Sequence, residues 1–408
     1  KKSMRHRSNS VHGRGKRIVA FALSAVFLAA CCPIALAKED SSAPLTLEQI
    51  AAMTKEELAA IPQEQSDATL NKMAQYGEIE KTIIGFATTY EEYAEQQNEE
   101  WSNEIATLDP GIQPLWSSDY DESGNGKPEE QCHELITGSG FFVYLAARNI
   151  AFNGGSIGYA LSDLSALGTA SEEPDKKDIG FLFDSHFYNP DTGTNWRGDA
   201  SPTARTKAEG YYDVAVLIYT TDHTAGSRER AIQSLGNCLH FIQDAGEPHH
   251  AANKTAVDIF SNHSQFEKES ALWLYDGTFI YDLEADFKYD SNFYNSFLNR
   301  TVGESVHEIA VSAKSMIDAA ESSTEGIRKI AAYLTAGNAM QYTAGILYKF
   351  ARDVGMIKRR SEMNHQAKRK QIPSDSLSVS DLQGVIPQKE HILKKRGLSP
   401  SLLPHSTE

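Results

Sequence analysis

Residues 240–267, HFIQDAGEPHHAANKTAVDIFSNHSQFE, crowd metal-binding side chains into one short stretch. His240 and Asp244 stand four apart, so on a helix both project from one face toward a common point, and His263 with Glu267 repeats that spacing. Between the pairs, Glu247-Pro248 predicts a helix break that carries His249 and His250 into a turn. A lone histidine is most often a surface or core side chain. Two i,i+4 ligand pairs flanking a further histidine point instead to a metal. Imidazole with carboxylate suits zinc, with positions left open where a water can be activated. The stretch thus demands adjoining helices that bring these side chains to shared ions.

The remaining residues must supply that scaffold. A chain of 408 residues is long enough for two or three domains, or for one large domain with tails. Hydrophobic residues at 40% and charged residues at 23% allow a sizeable core. The formal charge of −16 argues against a general nucleic-acid binder, because a polyanion would be repelled. Lysine and arginine crowd both ends, so the middle is more acidic still. Of four cysteines, Cys31 and Cys32 fall in a segment expected to be removed. Cys132 and Cys238 are left, as a disulfide in an oxidising compartment or as two buried thiols.

Residues 1–17 are basic, Ile18–Ala30 is an apolar run short for a bilayer span, and Ala35-Leu36-Ala37 has the small residues of a cleavage site. This order predicts a signal peptide over 1–37 and a secreted protein, with lipoprotein anchoring at Cys31 (in LAAC) the lesser alternative. Residues 38–115 are acidic and helical in pattern, with Thr54 a candidate N-cap ahead of Glu57, and read as a propeptide or N-terminal extension. Asp119, Asp121, Ser123, Asn125 and Glu130 then fall at calcium-loop spacing. Gly126 and Pro128 disturb that pattern, and a flexible acidic loop is the preferred reading over calcium.

From His133 to about Leu167 the pattern is helical, followed by a loop, GTASEEPDKKD, and by the turn NPDTG. Helices are expected over 203–222, 229–245, 301–320 and 324–353. In the second of these, Ile232, Leu235, Leu239 and Ile242 form the apolar side, with His240 and Asp244 on a neighbouring face. Strand signals are few, so the expected class is all-α, a single bundle-like domain over 116–355, followed by a basic disordered tail over 356–408. No P-loop, dinucleotide fingerprint, nucleophile elbow or internal repeat is visible.

These motifs resemble the bacterial zinc-dependent phospholipases C. His240-Phe-Ile-Gln-Asp244, Pro248-His-His250-Ala-Ala-Asn253 and His263-Ser-Gln-Phe-Glu267 follow the family's His-Tyr-x-Gly-Asp, Pro-x-His-x-Ala-x-Asn and His-x-x-x-Glu, with Gln243 in place of the usual glycine. DSHFYNPDTG around His186 and QYTAGILYKF near the end are similar to further family segments. The Pro-x-His spacing selects His250 over His249. The resemblance implies an all-helical fold with three zinc ions. His186, His240, Asp244 and a loop carboxylate would hold one; His250, His263 and Glu267 a second; His133, a bridging Asp244 and an N-terminal Trp116 the third. The loop carboxylate is Asp175, with Glu173 the alternative, and Asp175 would also orient or deprotonate the attacking water. The Trp116 ligand requires cleavage after Leu115. Phe183 matches a family residue packed against a choline head group, where a quaternary ammonium over an aromatic face is favourable. Lys176 stands where the family has a tyrosine, which bears on head-group preference.

The expected function is therefore a secreted, monomeric enzyme acting on phosphatidylcholine-like phospholipids at a membrane surface, without nucleic acid as partner. A single-strand nuclease of the same architecture is the enzymatic alternative. A non-catalytic surface protein using zinc to hold its helices is the other, and it predicts that neither Asp175 nor Glu173 reaches the metals.

Overall fold

The computed structural model describes residues 42–76, 79, 132–151, 156–178, 180–256, 258, 261–275, 279 and 290–357. All lie in the compact unit Ser42–Glu408. The expectations for 1–37, for Trp116 and the 119–130 loop, and for the tail beyond 357 fall outside these residues. The fold is all-α; among the described residues the sole β feature is an isolated bridge between Asn189 and Thr194.

Three helices lead: α1 (Leu47–Ala51), α2 (Lys55–Ala60) and α3 (Gln63–Tyr76). Thr54 caps α2 in a capping box with Glu57, as its spacing predicts. α4 (Cys132–Ala151) and α5 (Leu161–Lys177) follow, then a 3-10 segment (Gly180–His186), α6 (Ala204–Thr221), α7 (Ala225–Ala245) and the short α8 (Pro248–Ala252). The rest is α9 (His263–Tyr275), α10 (Ser291–Leu298), α11 (Val302–Lys314), α12 (Ile317–Ala320) and α13 (Glu325–Asp353).

α7 is the axis of the bundle, packed against α4, α5, α6, α11 and α13. Its stripe of Ile232, Leu235, Leu239 and Ile242 is fully buried, but so is the neighbouring face with His240 and Asp244. From Cys238 to Ala245 the helix is buried on every side and has no solvent face for polar residues, so these must find partners inside. Gly236 lets α5 approach closely: a Cβ there would stand 2.7 Å from the Ala170 Cβ. Gly140 does the same between α4 and α13, where a Cβ would meet that of Thr343 at 2.6 Å.

Two expected boundaries are corrected. The helix drawn from His133 to Leu167 is two helices, the first ending at Ala151 and the second beginning at Leu161. GTASEEPDKKD is no loop but the second half of α5, which runs through Pro174 to Lys177. Proline removes one backbone bond there. Burial of Leu164, Leu167, Ala170 and Ser171 outweighs that loss, and Lys176 and Lys177 at the C-terminal end favour the helix dipole.

Leu45, Ile50, Leu58, Leu70, Met73 and Ile79 are buried in the same core as α4 and α5. Polar bonds fix this join: Leu161 N–H donates to Ser66 Oγ at 2.7 Å, Ile157 N–H to Asp67 Oδ2 at 3.1 Å, and Gln63 Nε2 to the Tyr159 carbonyl at 2.9 Å. Ser66 thereby satisfies an unpaired donor at the start of α5. Cys132 and Cys238 are buried free thiols, not a disulfide. Burial raises both thiols above their usual range.

Candidate metal centre

α4, α5, α7, α8, α9 and the 3-10 segment each send ligand-type side chains to one buried region, where three groups form. They are Asp175, His186 and His240; His133, His240 and Asp244; and Glu247, His250, His263 and Glu267. Within each group the ligand atoms all lie within 4.8 Å of one another, and every member is buried.

Asp244 is the hub. Its Oδ2 lies 2.8 Å from His186 Nδ1 and 3.0 Å from His240 Nε2. Its Oδ1 faces the other way, 3.2 Å from His250 Nδ1 and 3.7 Å from His133 Nε2. Asp175 Oδ1 stands 3.4 Å from both His186 Nδ1 and His240 Nε2, and its Oδ2 is 3.6 Å from His133 Nε2. Glu173 instead turns to Lys177 at 2.8 Å, so of the two alternatives Asp175 reaches the cluster. Across the site, His263 Nε2 meets Glu267 Oε1 at 2.8 Å.

The donor set fits divalent zinc on a physical test of this structure. Asp175 Oδ2, Asp244 Oδ1, Glu267 Oε2, His186 Nε2 and both ring nitrogens of His250 are buried without a hydrogen bond. Unsatisfied polar atoms at this density are costly unless something else binds them, and imidazole with carboxylate is a zinc donor set.

α8 explains the middle of the motif. The sequence reading put His249 and His250 in a turn; they stand in a short helix instead. Gly246 ends α7, the Glu247 side chain caps α8 by accepting the His250 N–H at 2.6 Å, and Pro248 occupies the first turn. Asn253 then ends α8 in a left-handed conformation (φ 56°). Its Nδ2 donates to the Asn195 carbonyl at 2.9 Å, tying α8 to the loop after His186.

No family model matches this chain. Curated relatives do. A phospholipase C of Clostridium perfringens is 28% identical over 206 residues, 46% of this chain and 49% of the relative. One from Paraclostridium bifermentans is 34% identical over 110 residues, covering 26% and 27%, and one from Bacillus cereus is 30% identical over 134 residues, covering 32% and 42%. Over these segments the chain is similar to bacterial phospholipases C. These matches span about half of the relatives' length or less. Among solved structures, the alpha toxin of Clostridium absonum aligns with 24% identity and a TM-score of 0.45, over 56% of this chain and 65% of that one.

Relative to the family pattern, Gln243 is the departure with the clearest structural content. Its Oε1 accepts from His133 Nδ1 at 2.8 Å, while Nε2 donates to Thr137 Oγ1 at 3.0 Å and Thr343 Oγ1 at 3.2 Å. One amide thus fixes the His133 ring and joins α7 to α4 and α13. His240 is fixed likewise, Nδ1 donating to the Ser171 carbonyl at 2.8 Å, which turns Nε2 inward. In sequence Gln243 shows only as a departure from the family's glycine, because its partners lie about a hundred residues away on either side. Glu247 shows there only as part of the helix break before Pro248, since glutamate is not among the usual N-cap residues.

The electrostatics follow from burial and packing. Burial, with His240 adding, lowers His133 to about 4, so its imidazole is neutral at pH 7. Burial also works to lower His240, but the Asp244 and Asp175 carboxylates prevail and raise it well above the ordinary value. Asp244 and Asp175 fall below the usual range, with burial opposed by the neighbouring histidines, His240 foremost. Glu247 is held near 2, where burial opposes and the His249 ring prevails. His249 is no member of the ligand groups; its Nδ1 pairs with Glu247 Oε1 at 2.7 Å.

Phe183, expected beside the head group, is 3% exposed, with ring centroids 5.7 Å from His186 and 5.2 Å from Phe187.

Proposed function

We propose that this protein is a secreted zinc-dependent phospholipase C that cleaves phosphatidylcholine-like lipids to diacylglycerol and a phosphorylated head group. The observation that carries this reading is the three buried ligand groups, two of which share His240, with Asp244 within 3.7 Å of histidines from all three and Asp175 beside His133, His186 and His240. The similarity to proteins named phospholipase C supplies the substrate class. His186, His240, Asp244 and Asp175 would hold one zinc, and His250, His263 and Glu267 a second. His133 and Asp244 would hold a third, together with the terminal amino group of Trp116 after cleavage.

Zinc there would supply Lewis acidity toward the phosphate and lower the pKa of a bound water to about 7. The chain's own residues do the remaining work. Asp244 presents one oxygen to each side of the centre and would be shared between neighbouring ions. Asp175, an ionised buried carboxylate, orients a water and accepts its proton as the water oxygen bonds to phosphorus and the phosphorus–oxygen bond to the glycerol breaks, and the departing glycerol oxygen takes up a proton to leave as the diacylglycerol hydroxyl. Gln243 and the Ser171 carbonyl hold the His133 and His240 rings in the tautomers that turn Nε2 toward metal. Asp175 in the cluster is also what the non-catalytic reading predicts against.

The test is to incubate purified protein and zinc with phosphatidylcholine, sphingomyelin and single-stranded DNA, and to follow phosphodiester cleavage. Release of phosphocholine from phosphatidylcholine is the expected result. Cleavage of DNA alone would establish the nuclease reading, and no cleavage of any of them the structural one.

A further inference from the structure

The cluster at the start of α8 and α9 contains one more acid than the resemblance assigns to it. We propose that Glu247 is the fourth ligand of the ion held by His250, His263 and Glu267, closing its coordination with protein atoms. The proposal rests on the zinc reading of that cluster.

Tetrahedral zinc with bonds of about 2.0–2.1 Å sets its ligand atoms roughly 3.3 Å apart. The separations here bracket that value: His263 Nε2 to Glu267 Oε1 is 2.8 Å, His250 Nε2 to Glu267 Oε1 is 3.4 Å, and His263 Nε2 to Glu247 Oε2 is 4.0 Å. All four residues are buried, and His250 Nε2 and Glu267 Oε2 lack hydrogen bonds. Glu247 is itself rigidly placed. Its Oε2 caps α8 through the His250 N–H at 2.6 Å, and its Oε1 takes His249 Nδ1 at 2.7 Å. A carboxylate oxygen has a second lone pair, so capping leaves Oε2 able to bind a cation.

His249 then acquires a purpose. Its ring stacks on His263 with centroids 4.8 Å apart and planes 3° from parallel, and its Nε2 reaches Glu321 Oε1 at 3.1 Å. It is a positioning residue that holds Glu247 against the ion. Four protein donors make a closed site of the structural kind, which leaves water and phosphate to the two groups that share His240.

The experiment compares wild type with Glu247→Gln and Glu247→Ser, measuring zinc per chain after dialysis against a graded chelator and the visible spectrum after cobalt exchange. Serine is a good N-cap but too short to reach the ion, so it separates capping from ligation. Each variant should keep its helical circular dichroism, lose one ion, bind it more than about 100-fold more weakly, and show weaker tetrahedral cobalt absorption. Zinc content, affinity and cobalt spectrum equal to a zinc-replete wild type in either variant would overturn the role of Glu247 and leave the zinc reading standing. A wild type that binds no zinc would overturn both.

Discussion

The ligands that gather around Asp244 stand mainly on long helices, α4, α5 and α7, whereas Glu247 caps and His250 stands on α8, five residues long, with His263 and Glu267 on the opening turns of α9. The first set is held from a distance: Gln243 reaches across to Thr137 and Thr343, and His240 leans on the Ser171 carbonyl. The second is held by its immediate neighbours, through the Glu247 cap and the His249 ring. Rigidity borrowed from a helical core survives local disturbance. Rigidity built from one cap and one stacked ring depends on the ion to complete it.

Four measurements bear on that contrast. Removing zinc with EDTA should abolish activity altogether and lower the melting temperature, because metal-binding energy is partly folding energy. Hydrogen exchange should then rise most in α8 and the start of α9; uniform loosening would erase the contrast. Next, Asp244→Ala should reduce turnover by on the order of 10³-fold or more, as several kcal/mol of charge stabilisation vanish. It should lose more zinc than Glu267→Ala, and equal zinc content in the two variants would contradict the hub. Gln243→Leu should weaken metal at the His133 group by about 10–100-fold, measured by chelator competition. An unchanged affinity there would mean the long-helix group needs no support from across the core. The smallest effect belongs to Glu173→Ala, expected to stay within about twofold of wild-type turnover, since its partner is the exposed Lys177.

Much of the centre was legible in the chain because its information is local. The i,i+4 pairs His240–Asp244 and His263–Glu267 announce helical ligand faces, and Pro-x-His distinguishes His250 from His249. Other features depend on distant packing. Pro174 reads as a loop until burial of α5 against α7 is known. Gln243 reads as an imperfect match until Thr137 and Thr343 are seen beside it. Likewise the apolar faces of α1–α3 are visible in sequence, but nothing local says that α4 and α5 receive them.

That last contact bears on maturation. Leu70 and Met73 lie in the same core as Tyr144 and Leu164, and Ser66 and Asp67 hold the turn leading into α5. A protease cutting in front of Trp116 would therefore release nothing. The leading helices would remain bound, and the active species would be a nicked heterodimer, splitting into two bands only under denaturing electrophoresis.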